Sequence, residues 1–304
     1  MPEATVTEPR TVGATPTARM RRAAPATTGE RMRRPASPRS VLLWILVALG
    51  AAAMLFPFAW TVITSITPGA NLGQAPTLWP EEPSLEAYRT LFERGGFGQA
   101  VVNSILLATA TTVIQLITSS TAAYAFSRLP FRGSNVVFAI YLATMMIPLQ
   151  VLIVPLFAQL KVLGLIDTLA GALLPSLASA FGIFLLRQAI SQIPRELDEA
   201  ATIDGAGHFR IFATIILPNI RAALATFAIF AFMGSWNSFL WPLIVLRSRD
   251  TQTLPVALAG LQGQFTTQWD VVMAGSIVSI IPMLLIYLLA QRHVVQGVAT
   301  SGIK

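Results

Sequence analysis

The chain has 304 residues, of which 54% are hydrophobic and 12% are charged, and its formal net charge is +7. An ordinary soluble domain contains about 25% charged residues, so this composition excludes a soluble globular protein with a fully covered core. The absence of cysteine excludes disulfides and thiolate metal sites, and the two histidines, His208 and His293, are too few for a histidine-rich metal site.

Six stretches of the chain contain no charged residue and are long enough to cross a bilayer, which takes about 20 helical residues. They are Val41–Ile66, Phe97–Ser127, Gly133–Leu160, Thr168–Leu186, Ala222–Leu246 and Val271–Gln291. We therefore predict an all-α polytopic membrane protein with six transmembrane helices and a helical cytoplasmic loop between helices 4 and 5.

The positive charges are placed unevenly between the loops. Sixteen of the 21 lysines and arginines lie before Val41, in Arg128–Arg132, in Arg187–Arg221 or after Gln291. Cytoplasmic loops collect Lys and Arg, so we expect both termini and the loop at 193–218 in the cytoplasm. On this reading the net charge reflects membrane topology and does not indicate nucleic-acid binding.

The N-terminal third contains three predicted regions. Residues 1–40 are rich in Thr, Ala, Pro and Arg, which predicts a disordered cytoplasmic tail. The apolar run 41–66 continues past the three alanines at 51–53, so we interpret it as an uncleaved first transmembrane helix and not as a signal peptide. Residues 67–96 are rich in Pro and Gly and form a predicted external loop, with one short helix near Leu85–Phe92.

Residues 97–295 form the predicted transmembrane core, and residues 296–304 form a predicted cytoplasmic C-terminal tail. The third span contains Pro148 and Pro155, each of which removes a backbone hydrogen bond and bends a helix. A passive kink and a moving gate both fit these prolines.

The fifth span carries Trp236, Asn237 and Trp241. An unpaired amide is costly inside a membrane, so Asn237 either hydrogen-bonds a neighbouring helix or faces a substrate path. The two tryptophans fit an interfacial belt as well as a platform on which a sugar ring stacks.

The sequence lacks the motifs of several catalytic classes. It contains no G-x-x-x-x-G-K-[ST] phosphate loop, no nucleophile elbow and no H-E-x-x-H. The spans contain no Asp, Glu, Lys or Arg, which proton relays and ion-coupled sites ordinarily use. We therefore expect that the chain is not an enzyme, that it binds no cofactor or metal itself, and that transport is either passive or driven by a partner.

The polar loop at 193–218 has the pattern of two short helices. Pro194 suits the first turn of the first helix, and the acidic residues that follow favour its positive end. Gly205 suits the left-handed conformation that ends a helix. A second helix is predicted from about Gly207 to Leu217, with Pro218 marking its end.

Both predicted helices have apolar or small residues at helical spacing. These are Leu197, Ala200, Ala201 and Asp204 on the first helix, and Phe209, Phe212, Ala213 and Ile216 on the second. Small residues at Ala200, Ala201 and Ala206 would let this corner enter the groove of a partner protein. The alternative, a helix lying on the inner leaflet, calls for Lys and Arg on its polar face, whereas the first helix is acidic.

The loop resembles the EAA loop of binding-protein-dependent ABC importer permeases. The residues that carry this resemblance are Glu199-Ala200-Ala201, Asp204-Gly205-Ala206 and Pro218. Further segments resemble the carbohydrate-uptake permeases of the MalG type, namely Asn103-Ser104, Ala122–Leu129, Phe184–Gln188, Trp236–Pro242 and Thr253–Pro255. Ser238 stands where this family commonly has an acidic residue, which leaves the substrate class open.

The resemblance implies a permease subunit of a bacterial ATP-driven importer that forms half of the pathway for a sugar or oligosaccharide across the cytoplasmic membrane. Its implied partners are a second, different permease, an external sugar-binding protein and two ATPase subunits that bind ATP and Mg²⁺. The implied coupling residues are Glu199, Ala200, Ala201, Asp204, Gly205, Ala206, Phe209 and Pro218. Glu199 would pair with a basic residue of the ATPase, and Gln262, Gly263 and Gln264 would lie near the tip of the external loop that reaches the binding protein.

Other functions remain open at this point. A stand-alone facilitator or ion-coupled carrier would transport in vesicles that contain only this chain, and it would ordinarily need the intramembrane charges that the spans lack. A membrane enzyme would need a nucleophile and base, and no such pair is visible. Within the ABC class, a glycerol-phosphate or amino-acid permease is the alternative, although a phosphate would favour Arg or Lys in the pore.

Overall fold

A computed structural model describes residues 38–70, 79–93, 96–262 and 267–301, and it describes side chains within these ranges from residue 42 to residue 288. The described residues contain helices and no β-strand, which confirms the all-α class. The helices are α1 (Pro38–Ser65), α2 (Glu86–Glu93), α3 (Phe97–Arg128), α4 (Ser134–Ala143), α5 (Leu149–Val162), α6 (Leu169–Leu173), α7 (Ala180–Ser191), α8 (Glu196–Ile203), α9 (His208–Ile211), α10 (Leu217–Asn219), α11 (Arg221–Trp236), α12 (Leu240–Val245), α13 (Leu254–Gly260) and α14 (Trp269–Ser301). The chain divides into two compact units between Ala52 and Ala53, within α1.

Four helical segments of the described chain are long and apolar enough to cross a bilayer. They are Leu42–Ser65, Phe97–Arg128, Arg221–Val245 and Trp269–Leu288. Two further candidates are bent pairs of helices, in which α4 meets α5 at 98° and α6 meets α7 at 46°. The described residues therefore hold four candidate spans, or up to six if each bent pair is one span.

The sharper of the two bends lies where the sequence has Pro148. A proline disfavours the helical conformation of the residue before it, and Ile147 is extended, with φ −84° and ψ 112°. Pro148 then precedes the first residue of α5. Pro155, the second proline predicted to bend this span, lies inside α5 without ending it.

Three boundaries differ from the sequence prediction. Helix α1 begins at Pro38, inside the tail predicted to be disordered, and α14 continues to Ser301, inside the predicted C-terminal tail. Helix α2 overlaps the short helix predicted near Leu85–Phe92. Residues 1–37 of the predicted N-terminal tail and residues 302–304 of the predicted C-terminal tail lie outside the described residues.

The helical core is built on α3, which packs against both α7 and α11. Its buried residues Ala123 and Tyr124 join Leu186 and Phe227 in one apolar cluster. Gly182 makes the close approach of α7 and α11 possible, because a methyl group there would overlap the Phe227 ring. Small residues allow such close helix contacts in membrane proteins.

The polar contacts of the second unit lie at its two opposite ends. At one end Arg128, the last residue of α3, is paired with Asp198. At the other end Asn103, in the second turn of α3, donates from Nδ2 to the carbonyls of Asp250 (2.8 Å) and Gln252 (3.0 Å). Because α3 connects the two ends, the loop at 193–218 and the segment 246–253 lie on opposite sides of the helical core.

At the end opposite the loop at 193–218, Asp167 joins two loops. Its Oδ1 accepts hydrogen bonds from the backbone N–H groups of Arg247 (2.8 Å) and Ser248 (3.0 Å) and from the Thr251 hydroxyl. These bonds, with the Thr251 hydroxyl contributing most, hold the pKa of Asp167 well below its usual range. Asp167 also has a left-handed backbone, with φ 61°, which Asp tolerates better than most residues.

We expect Asp167→Ala to lower the free energy of unfolding by about 1–3 kcal/mol, because three donors lose their acceptor. Thermal unfolding of the purified protein in detergent measures the change. Since folding lowers the pKa of Asp167, the stabilisation is present above the ordinary carboxyl pKa of about 3.9 and is lost as the pH falls below it. Asp250→Ala is the matched control, since the exposed Asp250 carboxylate has no hydrogen bond or ion pair with any described residue.

Candidate functional site

The docking loop, which we define as residues 193–218, forms the two-helix corner that the sequence predicts. Helix α8 ends at Ile203, Gly205 has φ +80°, and α9 begins at His208. The Gly205 N–H donates to the Thr202 carbonyl at 3.0 Å, which closes the end of α8. The second helix continues to Asn219, so Pro218 lies within its last turn instead of ending it.

The docking loop has a packed inner side and an exposed outer side. Ala201 and Ala206 are half-buried and pack against the apolar cluster of α3, α7 and α11. Most predicted coupling residues face outward, namely Glu199, Ala200, Asp204, Gly205, Phe209 and Pro218. Ile203, which sequence reasoning did not single out, is 87% exposed, and Phe209 is 83% exposed. Two large apolar side chains therefore flank the Gly205 turn.

The prediction that the second helix has one continuous apolar face is wrong. Ile216 is buried and Phe212 packs on Tyr124 with ring centroids 5.2 Å apart, whereas Phe209 and Ala213 are exposed. Residues Phe212–Ile216 form a π-helical turn, which changes the angular spacing of side chains from that of an α-helix. The predicted face of the first helix is divided in the same way, because Ala201 points inward while Leu197, Ala200 and Asp204 are exposed.

A buried ion pair anchors the docking loop to α3. Arg128 Nε lies 2.7 Å from Asp198 Oδ2, and the two side chains are only 6% and 18% exposed. Arg128 Nη2 also donates to the carbonyls of Ile190 (3.2 Å) and Ile193 (2.7 Å), at the end of α7 and just beyond it. One guanidinium therefore contacts α3, α7 and α8.

Neither Arg128 nor Asp198 was among the site residues predicted from the sequence. The available signal was the position of Arg128, which is the first charged residue after the long uncharged stretch of α3. Its partner could not be identified, because three carboxylates stand in the first turn of α8 and only Asp198 faces inward.

A cavity of about 240 Å³ lies between α3, α7 and α11 on the path between the two polar ends. Its polar lining residues are Thr111, Gln115, Ser176, Ser179, Ser235 and Ser238, and its aromatic ones are Phe181, Phe227, Phe230 and Trp241. None of the described residues that line it is charged. Hydroxyl and amide groups beside aromatic rings suit a neutral polar ligand.

The break between α6 and α7 forms part of the cavity wall. The Ser179 hydroxyl accepts from the Gly182 N–H at 3.1 Å and so caps α7. Gln115 Nε2 donates to the Ser176 carbonyl at 2.7 Å, and the Thr118 hydroxyl donates to the Leu177 carbonyl at 2.9 Å. Side chains of α3 therefore donate hydrogen bonds to two backbone carbonyls at this break in the helix.

The two tryptophans predicted for the fifth span have different environments. Trp236 is buried, and its Nε1–H donates to the Ser279 carbonyl of α14 at 3.2 Å. Trp241 is also buried and lines the cavity, but its Nε1–H has no hydrogen-bond partner among the described residues. Both positions are too enclosed for an interfacial belt.

Of the remaining predicted site residues outside the docking loop, the described ones, Asn237 and Gln262, are not part of the cavity lining. Asn237 Nδ2 donates to the Met233 carbonyl of its own helix at 3.0 Å, so the predicted bond to a neighbouring helix is absent from the described structure. Gln262 is exposed just after α13. Gly263 and Gln264 lie outside the described residues. Within the described ranges, no three His, Cys, Asp or Glu side chains are grouped to hold a metal ion.

The sequence is similar to proteins of known transport systems. Residues 115–300 match the family described as the binding-protein-dependent transport system inner membrane component. The arabinooligosaccharides transport system permease protein AraQ of Bacillus subtilis (strain 168) is 35% identical over 254 residues, which cover 82% of this chain and 90% of AraQ. The lactose transport system permease protein LacG of Rhizobium radiobacter is 32% identical over 261 residues, which cover 86% and 95% of the two chains.

The fold is also similar to that of a solved transporter. A chain of a bacterial ABC transporter involved in the import of the acidic polysaccharide alginate superposes with a TM-score of 0.75 at 26% sequence identity. The superposition covers 84% of this chain and 95% of that one. Matches of sequence and of fold thus extend over most of the helical core, and the chain belongs to the family of binding-protein-dependent transport system inner membrane components.

Proposed function

We propose that this chain is a permease subunit of an ATP-driven importer and forms half of the translocation path for a neutral sugar or oligosaccharide. The observation that carries the proposal is the uncharged cavity between α3, α7 and α11. Hydroxyls of Ser176, Ser235 and Ser238 offer hydrogen bonds to a sugar, and the Trp241 ring lines the same cavity. The names of AraQ and LacG, an arabinooligosaccharide and a lactose permease, favour the same substrate class.

The energy for import would come from partner subunits. The sequence contains no phosphate loop, so ATP and Mg²⁺ would bind to two ATPase subunits that dock on the docking loop. Ile203 and Phe209 would enter an apolar groove of one ATPase, and the exposed Glu199 would pair with a basic residue at its rim. A second, different permease would complete the path, and an external binding protein would deliver the sugar.

The proposed orientation places the docking loop, both termini and the Arg-rich loops in the bacterial cytoplasm, with each bent helix pair counted as one of six spans. The segment 246–253 and Gln262 would then face outward, toward the binding protein. The chain has no cysteine, so single cysteines can report the two sides. A membrane-impermeant maleimide should label Asp250→Cys in intact cells and Thr202→Cys only after permeabilisation; the reverse pattern would refute this orientation.

Uptake by proteoliposomes tests the proposed function. Vesicles should contain this chain with its co-expressed second permease and ATPase, and they should be assayed with a panel of neutral sugars, glycerol 3-phosphate and amino acids. We expect uptake of a neutral sugar that requires ATP and the binding protein. Uptake by this chain alone would indicate a facilitator, and a preference for glycerol 3-phosphate would identify the alternative substrate class.

Gly205→Pro should abolish ATP-dependent uptake while leaving the amount of protein in the membrane unchanged. Proline fixes φ near −65° and has no N–H, whereas Gly205 has φ +80° and donates to Thr202. Gly207→Ala is the matched control, because Gly207 has an ordinary φ of −75° and open space around its Cβ position. Normal uptake by Gly205→Pro would show that the corner is not needed for coupling.

Trp241→Phe should raise the KM for the transported sugar roughly two- to tenfold, because the smaller ring removes part of the apolar cavity wall, a loss of about 0.5–1.5 kcal/mol of contact with the sugar. The maximal rate should change little, because an aromatic ring still lines the cavity. Trp79→Phe is the control, since Trp79 is 70% exposed and is not among the residues that line the cavity. Equal KM values for both variants would remove Trp241 from the substrate path.

A further inference from the structure

We propose that Arg128 and Asp198 are positioning residues that form the joint through which the docking loop moves α3 and α7. The inference rests on the proposed function, because it takes the docking loop as the surface that an ATPase subunit displaces. It assigns the transmission of that movement to one buried ion pair, which contacts neither the ATPase-facing side of the loop nor the cavity.

Arg128 of α3 contacts both α8 and the end of α7. Its Nε lies 2.7 Å from Asp198 Oδ2 of α8, and its Nη2 bonds two carbonyls at the end of α7. A guanidinium is a rigid planar fork, so the two Nη2 hydrogen bonds fix its position at the end of α7. Its charge then holds the Asp198 carboxylate, and with it α8, by an ion pair in which Nε makes no hydrogen bond. The pair is shielded from water, which strengthens its electrostatic attraction.

Helices α3 and α7 are also held together at the cavity. Gln115 and Thr118 of α3 bond the Ser176 and Leu177 carbonyls, just before α7. Thr118 and Arg128 are ten positions apart, which corresponds to about 15 Å along the helix. Because polar bonds tie the two helices at both ends of this length, a displacement at Arg128 is passed to the cavity wall at Ser176.

The other carboxylates of α8 provide a comparison. Glu196 and Glu199 are exposed, and their carboxylates have no hydrogen bond or ion pair with any described residue, whereas Asp198 faces α3. The Arg195 guanidinium reaches the Ser127 carbonyl only at 3.4 Å and from an exposed position. Within the described part of the docking loop, Asp198 thus provides the one buried charged contact with the transmembrane helices.

The test uses the complete importer in proteoliposomes and a reporter that needs no transported sugar. A bimane fluorophore on Phe230→Cys, a cavity residue that is 54% exposed, reports the cavity environment. Fluorescence is recorded before and after addition of ATP, Mg²⁺ and orthovanadate, and the release of inorganic phosphate is measured without vanadate. A sample with unsubstituted Phe230 corrects for labelling of partner subunits.

We expect Asp198→Asn to reduce the fluorescence response at least about fivefold per assembled complex, because coupling between sites typically amounts to about 5- to 150-fold. Assembly and phosphate release should remain as in the unsubstituted complex. Asp198→Glu retains the charge and should restore most of the response. Glu196→Gln is the matched control on the same helix and should respond normally.

Three results would overturn the inference: a normal response from Asp198→Asn, a response from Asp198→Glu as low as that from Asp198→Asn, or loss of the assembled complex. The last result would show that the pair serves folding and not transmission. If the complex with Asp198 intact shows neither phosphate release nor a fluorescence response, the proposed function itself fails, which distinguishes the two cases.

Discussion

The lipid bilayer offers no hydrogen-bond partner to backbone groups, so every interruption of a helix inside it must be satisfied by the protein. This constraint explains the arrangement around α7. The carbonyls of Ser176 and Leu177 before this helix, and those of Ile190 and Ile193 at its end, are all bonded by side chains of α3. Helix α3 therefore acts as the template on which a broken helix and a polar loop are held.

Polar side chains of α3 satisfy this constraint in different ways. Thr112 and Thr121 donate their hydroxyls to carbonyls one turn earlier in their own helix, which leaves a small surface for close helix packing. Gln115 donates to the Ser176 carbonyl at the break before α7. The Thr118 hydroxyl does both, because it lies 2.9 Å from the Ile114 carbonyl of its own helix and 2.9 Å from the Leu177 carbonyl at the break.

Local features of this chain were predictable from the sequence, and long-range ones were not. The corner at Gly205 depends on the conformation of one residue and on the charges beside it, so a few neighbouring residues are enough to predict it. The candidate spans follow from composition alone. The pairing of Arg128 with Asp198 joins residues 70 positions apart, and it depends on which of three carboxylates faces inward.

Two further differences have local causes that the sequence pattern hides. Phe209 and Phe212 appear to share a helical face when a regular α-helix is assumed, but the π-helical turn at Phe212–Ile216 separates them. Trp236 and Trp241 are only five positions apart in the sequence, yet α11 ends at Trp236 and α12 begins at Leu240. This break turns one indole toward α14 and the other toward the cavity.

The chemical nature of the joint also matters. A buried ion pair is a poor way to increase stability, because well-packed apolar residues of similar volume often serve equally well. An apolar contact, however, has no preferred direction and lets two helices slide or rotate. Arg128 Nη2 bonds two fixed carbonyls, and its charge lies beside the Asp198 carboxylate, so the ion pair holds α8 at a defined place beside the end of α7. On the opposite side of the loop, Ile203 and Phe209 are exposed and suit a non-directional contact with the proposed ATPase subunit. A loop that is held by an ion pair on its inner side and is apolar on its outer side is suited to the proposed transmission of a displacement from such a partner.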